Sequence, residues 1–350
     1  MTQSIGVAII GGTGYGAGEL LRLFSSHPQI SVVSVVSSSQ AGELITEAHP
    51  HLRGFYDLKF SSEVDWHKLS EFKNRAIFLA LPHGASAQTT TKILPKLEQY
   101  GCYLLDLSGD YRISDPQTRE HFYPEAGADQ ELQARFAYGL TEVNREQILK
   151  AKFISIPGCL AAACILATAP LARQNYEGLI VFDAKTGTSG GGKTPKELFH
   201  HPSRHGGLTA YKVLEHRHEP EIAQALGEPT NGRIRTMFVP HLIPTSKGIF
   251  VTSYLETKNG ETLEELYTLY RSFYQNCKFI RIGNTPPEIQ AVVGTNFCDI
   301  SLSLRENQLV VMSALDNMVK GTAGQAIQNL NLIFGLPETT GLWTPALGPC

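Results

Sequence analysis

Cys159 follows a Pro157-Gly158 pair and precedes the Ala-rich segment Leu160 to Leu171, whose composition predicts a helix. A cysteine at a helix N-terminus meets partial positive charge, which lowers a thiol pKa and favours the nucleophilic thiolate. The Pro-Gly pair lets the backbone present the side chain outward, so Cys159 is a candidate for covalent catalysis, with plain packing as the alternative. Cys164, five residues on and inside the apolar face, is explained by packing. A nucleophile of this kind needs a proton donor or acceptor. His216-Arg217-His218-Glu219-Pro220-Glu221 offers two imidazoles. Spaced by two, His216 and His218 share one face of an extended backbone while Arg217 points away. Either can serve as the acid/base, and Glu221 can orient an imidazole. As metal ligands, His200, His201, His205, His216 and His218 lack the H-E-x-x-H or C-x-x-C spacing of a zinc site, and no metal is expected.

The elements around these residues read as two different sheets. Ser4 to Ile10 is a β-branched run that leads into Gly11-Gly-Thr-Gly-Tyr-Gly-Ala-Gly18 and then into Glu19 to Phe24 with helical spacing. In that order, strand then glycine turn then helix, bare N–H groups and the helix N-terminus can hold a pyrophosphate. Gly11, Thr13, Gly14, Tyr15, Gly16 and Ala17 are therefore candidate cofactor contacts. The next strand, Ile30 to Val36, ends in Ser37-Ser38-Ser39-Gln40 without an acid. An acid there would repel a 2′-phosphate, whereas three hydroxyls can donate to one, so NADP is favoured over NAD. Strands at Ala76 to Leu81 and Tyr103 to Leu107, with a helical stretch Ala85 to Tyr100 between them, complete a doubly wound parallel α/β pattern. Ligands bind such sheets at the carboxyl ends of strands, where Leu81, Pro82, His83, Ser108 and Arg112 fall. Arg112 is read either as a planar fork for phosphate or carboxylate, or as a surface ion pair.

The second half predicts strands at Leu179 to Phe182, Arg235 to Val239, Gly248 to Leu255 and Leu309 to Leu315, with a helix from Leu263 to Gln275, hence mixed sheet plus helices. After the first of these, Ala184 to Lys193 forms a second glycine-rich turn whose free amides, with Lys193, suit an anionic or amide-bearing ligand. Gly321 to Phe334 returns to helical spacing. The polar stretch Asp115 to Gln133 is the nearest thing to a linker.

With 350 residues, two cores are expected: a dinucleotide domain of residues 1–157 and 321–350, and a substrate and oligomerisation domain of residues 158–320. The chain is 42% apolar and 18% charged with a net charge of −3, a composition that buries cores and lacks the basic excess that drives nucleic-acid binding. The longest apolar stretch, Cys159 to Ala172, contains Pro170 and is too short to span a bilayer, so no membrane partner is expected. Neither a signal sequence nor a disulfide framework is evident among the six cysteines, and the chain reads as cytoplasmic.

Taken together, the motifs resemble those of the N-acetyl-γ-glutamyl-phosphate reductase family, within the aspartate-semialdehyde dehydrogenase group. The resemblance runs along nearly the whole chain. It rests on Gly11 to Tyr15 with Glu19, Ala80 to Gly84, Asp106 to Arg112, Pro157 to Cys159, Thr188 to Gly190, His216 to His218, Pro240-His241 and Asp316 to Gly324. It implies NADPH-dependent reduction of an acyl phosphate, with Cys159 carrying the acyl group, His218 as acid/base and Arg112 taking phosphate or carboxylate. It further implies that Ser189, Gly190 and Asn317 border the nicotinamide and that the chain forms a homodimer or homotetramer; Ser108, His216, Glu221 and Lys193 are the further candidate substrate contacts. Two departures are Gly16-Ala17 in the first turn and Leu160-Ala161-Ala162 after Cys159, where Tyr-Pro-Thr is frequent. A carrier-protein-linked aminoadipyl-phosphate reductase of lysine biosynthesis shares these motifs. A non-catalytic dinucleotide-binding protein and a zinc hydrolase are the readings from other classes.

Overall fold

The computed structural model describes residues 4–174, 176–227, 230–258 and 260–348; the side chain of His201 and Cys350 lie outside the described residues. The chain divides into two compact units, residues 1–157 with 322–343, and residues 158–321 with 344–350. The stretch after Trp343 therefore clusters with the second unit rather than with the first.

The first unit is built on a six-stranded, wholly parallel sheet in the order β2-β1-β3-β4-β6-β5. Its strands are β1 (Ile5–Ile10), β2 (Ile30–Val36), β3 (Asn74–Leu79), β4 (Tyr103–Asp106), β5 (Phe136–Tyr138) and β6 (Phe153–Ser155). β1, and β3 from Ala76 to Leu79, are apolar runs because helices cover both sheet faces, and their side chains are almost entirely buried. β2 and β3 lie on opposite sides of β1, which opens the crevice at the carboxyl end of β1, where the first glycine turn begins.

Asp115 to Gln133 is not a linker. It holds the short helices Pro116–Phe122 and Gln130–Gln133, N-capped by Asp115 and Asp129. Arg119, buried, ties the stretch together by donating to Ile113 O and Ala128 O.

The second unit holds a seven-stranded mixed sheet in the order β11-β12-β13-β10-β7-β9-β8. These strands are β7 (Gly178–Thr186), β8 (Thr209–Ala210), β9 (Ile234–Leu242), β10 (Ile249–Glu256), β11 (Ile280–Ile282), β12 (Cys298–Arg305) and β13 (Gln308–Leu315). The helix Cys159–Arg173 is buried from Leu160 to Ala172. Pro170 has no N–H for the carbonyl of Leu166, and Tyr274 Oη donates to that carbonyl at 2.6 Å instead. The acceptor that Pro170 would orphan is thus satisfied, and Tyr270 Oη also donates, to Ala167 O at 2.7 Å.

Candidate active site

In the first unit the glycine turn is shaped by close approaches that exclude side chains. Gly11 has φ +91°, and a Cβ there would lie 2.6 Å from Ala80 O and 2.9 Å from Leu81 Cδ2. A Cβ on Gly12 would lie 2.4 Å from Val35 Cγ1. The amides of Gly11 and Gly12 both donate to Val36 O. The helix Tyr15–Phe24 then starts at Gly14 without a side-chain cap. Among the described residues, the N–H groups of Thr13, Gly14, Tyr15, Gly16 and Ala17 have no acceptor, and Gly14 has nothing within 4 Å of its missing side chain. Five unspent donors at a helix N-terminus form a cradle for an anion, and the residues fit a dinucleotide pyrophosphate. At the end of β2, Ser37 is buried and its Oγ accepts from Gln40 N, while Ser38 and Ser39 are exposed.

The other sequence-predicted residues of this unit are mostly occupied with shaping the loop after β4. His83 Nδ1 accepts from Gly109 N at 2.8 Å, and its ring packs on Tyr123. Ser108 Oγ donates to Asp106 Oδ2 at 2.7 Å and accepts from Asp110 N. Arg112 is buried; its Nε donates to Ile156 O and one terminal nitrogen to Leu107 O, so the guanidinium is fixed across the carboxyl ends of β4 and β6 and is no surface ion pair. Asp110 accepts from the amides of Gly84 and Ala87, capping the helix Ala85–Tyr100 from a distance. Burial, with Asp110 nearby, pushes the Asp106 carboxyl up to about 6. Neither aspartate carries a sequence signal beyond its place inside the Asp106 to Arg112 motif.

In the second unit Cys159 is the first residue of its helix, half-buried, with Gly158 as an N-cap that offers no side chain. Two close contacts explain why glycines flank it. A Cβ on Gly158 would lie 2.4 Å from His218 Nε2, and one on Gly321 would lie 2.6 Å from the Cβ of Cys159. The imidazole of His218 thus lies against the residue that precedes the thiol. Glu221, fully buried, accepts from Gly158 N at 2.7 Å, so its carboxylate holds the turn that presents Cys159. The N–H groups of Leu160 and Ala161 have no acceptor among the described residues, and with the helix dipole they favour negative charge at Sγ. Burial, and then the Cys159 sulfur, push the Tyr211 phenol up.

The two histidines have different surroundings. His216 is buried, its ring edge-on to Tyr211, Phe238 and His218, and its Nδ1 accepts from His218 N at 3.1 Å. Burial, reinforced by Arg217 and Lys212, pushes its pKa down to about 3, so it is neutral near pH 7. His216 is therefore built to hold the backbone of His218. Cys102 and Cys164 are buried, and burial pushes the first thiol up to about 11 and the second well above its usual range.

The second glycine turn differs from its sequence reading: its amides are not free. Gly187 N donates to Gly248 O, Thr188 N to Thr245 O, Ser189 N to Ser246 O and Gly190 N to Gly187 O. A Cβ on Gly187 would lie 2.8 Å from Ser246 O. Asn317, buried at the end of β13, donates from Nδ2 to Ser189 Oγ at 2.9 Å and accepts from Gly248 N at 2.8 Å. Lys193 is exposed. Asp316, which sequence reasoning left without a role, accepts from the amides of Gly294, Met318 and Val319 and so shapes the segment that brings Gly321 onto Cys159. Among the described residues no group of three or more His, Cys, Asp or Glu could hold a metal ion. No described helix is long and apolar enough to cross a membrane.

A parallel sheet with an open anion cradle, and a mixed-sheet unit presenting a helix-terminal cysteine beside an imidazole, define a semialdehyde dehydrogenase. The family models agree: the semialdehyde dehydrogenase NAD binding domain matches residues 6–151, and the semialdehyde dehydrogenase dimerisation domain matches residues 159–317. The chain is 43% identical over 349 residues to the N-acetyl-gamma-glutamyl-phosphate reductase of Bacillus mycoides strain KBAB4, covering 98% of this chain and 99% of that one. It is 44% identical over 342 residues to the protein of the same name from Bacillus cereus strain AH187, covering 96% and 97%. The chain belongs to the N-acetyl-gamma-glutamyl-phosphate reductase family. Among solved structures, aspartate semialdehyde dehydrogenase II of Vibrio cholerae, complexed with ASA, shares the fold at TM-score 0.69 and 14% identity, covering 95% of this chain and 99% of that one. The aspartate semialdehyde dehydrogenase of Candida albicans, solved with NADP, does so at TM-score 0.62 and 15% identity, covering 95% and 98%.

Proposed function

We propose that this protein reduces N-acetyl-γ-glutamyl phosphate to N-acetylglutamate 5-semialdehyde, releasing phosphate, as a step of arginine biosynthesis. The observation that carries the reading is the thiol at an open helix N-terminus with His218 against the preceding glycine. Cys159 Sγ attacks the acyl carbon of the acyl phosphate; the C–S bond forms, the C–O bond to phosphate breaks, and phosphate leaves with the electron pair. NADPH supplies the hydride that reduces the thioester carbonyl. His218 supplies the proton that the resulting oxyanion needs and then takes it back as the thiohemiacetal collapses to aldehyde and thiolate. His216, neutral and buried, holds the backbone of His218, and Glu221 holds the Pro157-Gly158-Cys159 turn. Arg112, locked by two carbonyls, is assigned to an anionic group of the substrate. Thr13 to Ala17 cradle the dinucleotide pyrophosphate, and the exposed Ser38 and Ser39 favour the 2′-phosphate of NADP over NAD.

The working form is cytoplasmic, where a thiolate of this kind stays reduced, and contains two or four copies of the chain. The oligomer reading is supported by the outer face of the mixed sheet, where Leu179, Met237 and Tyr254 are exposed. The direct test is NADP- and phosphate-dependent oxidation of N-acetylglutamate 5-semialdehyde by the purified chain, run beside the aminoadipate analogue. Turnover of the first that disappears in Cys159→Ser supports the assignment; equal turnover by the variant overturns the thioester scheme.

A further inference from the structure

The first glycine turn is gripped from outside by a residue that the sequence reading left without a role. His49 lies between the short helix Ile45–Ala48 and the 3-10 turn Pro50–Leu52, and it is buried. Pro50 biases the preceding residue away from helical backbone, and His49 sits at φ −129°, ψ 71°. Its Nε2 donates to the carbonyl of Gly12 at 2.7 Å; a carbonyl only accepts, so the proton is on Nε2. The same ring occupies the space over Gly18, where a Cβ would lie 2.6 Å from His49 Nδ1. Gly12 N donates to Val36 O at 2.9 Å, so Gly12 is held at both of its backbone polar groups.

The peptide that joins Gly12 to Thr13 is planar and trans, with its C=O and N–H pointing in opposite directions. Fixing the carbonyl on His49 therefore aims the Thr13 N–H the other way, where it is one of the five donors without an acceptor. A glycine turn has wide backbone freedom, and each unheld peptide adds an ordering cost when a ligand binds.

We infer that His49 is a positioning residue for the dinucleotide: its Nε2–H locks the Gly12–Thr13 peptide in the orientation that presents the cradle, and its ring sets why residue 18 is glycine. The inference rests on the reading of this turn as the dinucleotide site. It contributes to pre-organisation of the cradle and takes no part in the chemistry at Cys159.

The test titrates the full-length chain with NADPH by fluorescence, with thermal unfolding and the rate of Cys159 alkylation by iodoacetamide as controls. His49→Phe keeps a ring against Gly18 and removes the donor, His49→Met removes both, and His49→Gln keeps a donor at similar reach. Loss of one pre-organising hydrogen bond is expected to raise the NADPH Kd about tenfold in the Phe and Met variants, with Gln within about threefold of the parent protein. The rate constant at saturating NADPH and the alkylation rate should stay within about twofold, because neither the thiol nor His218 is touched. If His49→Phe does not fold, the Gln and Met pair decides the matter. Phe or Met binding as tightly as the parent protein, or Gln binding as weakly as Met, overturns the inference. No NADPH binding by the parent protein overturns the underlying reading of the turn instead, so the two failures are distinguishable.

Discussion

The chain contains two glycine-rich turns, each following a strand, and they serve opposite purposes. In the first, Gly11 and Gly12 allow close packing while the five amides from Thr13 to Ala17 stay unspent. In the second, from Gly187 to Gly190, every amide is consumed by the chain itself, and Asn317 ties Ser189 to Gly248. Glycine content alone does not distinguish a ligand cradle from a folded corner. The fate of each N–H does, because a donor already bonded within the chain has nothing left to offer an anion.

That contrast can be broken or sharpened by experiment, beginning with the chemistry at Cys159. Cys159→Ser should lower kcat at least about 10⁴-fold, since the nucleophile is lost. NADPH binding by that variant should be unchanged; a matching loss of binding would mean that the thiol and the cradle do not act separately. His218→Gln should lower kcat about 10² to 10³-fold, the usual range for a lost general acid/base. His216→Gln should cost about tenfold or less, because it acts through the His218 backbone. With a pKa near 3, His216 gives no ionisation in the neutral range, so its replacement should not move the pH profile of kcat there. An inverted order of the two histidine variants would exchange their roles.

The turns themselves are compared next. Gly14→Ala places a methyl group where nothing of the protein lies within 4 Å, so the fold should be retained while the NADPH Kd rises about tenfold. Ser189→Ala removes the acceptor of Asn317 Nδ2 and should lower stability by about 1 kcal/mol with an unchanged Kd. A rise in Kd for Ser189→Ala would show that the second turn also touches the cofactor.

The last comparison lies in how each unit responds to pH. His216 has a folded pKa near 3 against an ordinary value of 6.5, so the unfolded chain binds more protons in that window. Its contribution to stability is present above about pH 6.5 and is lost as pH falls toward 3. Asp106 runs the other way: raised from 3.8 to about 6, it binds its proton more tightly when folded, and the first unit loses stability as pH rises from about 4 through 6. Differential scanning calorimetry of His216→Gln and Asp106→Asn should each flatten one of these opposing slopes. A flattening in the same direction for both would refute the contrast.

Much of this was legible in the sequence because it depends on local pattern. The runs Ile5–Ile10 and Ile30–Val36 are β-branched and bounded by turns, and both form the strands expected. Leu160 to Leu171 is helical as its alanine content predicts, and Tyr274 supplies the Leu166 carbonyl with the donor that Pro170 lacks. The strand Cys298–Arg305 went unread, although its partner Gln308–Leu315 was found. Their two-residue turn, Glu306-Asn307, lacks glycine, and Glu306 adopts φ +57° without the residue that usually announces it. The three-residue strands Phe136–Tyr138 and Ile280–Ile282 are too short to show a period.

By itself the sequence determined the elements and the reactive groups: a strand leading to glycines and a helix, a cysteine at a helix start, and a pair of histidines. Those features follow from neighbours within a few residues, where propensity and spacing act. Only the tertiary structure decided which amides remain open, that burial holds His216 neutral, and that Glu221 and Gly321 close on Cys159 from 62 and 162 residues away in the chain. Burial and long-range hydrogen bonds set those properties, and neither is encoded in spacing along the chain.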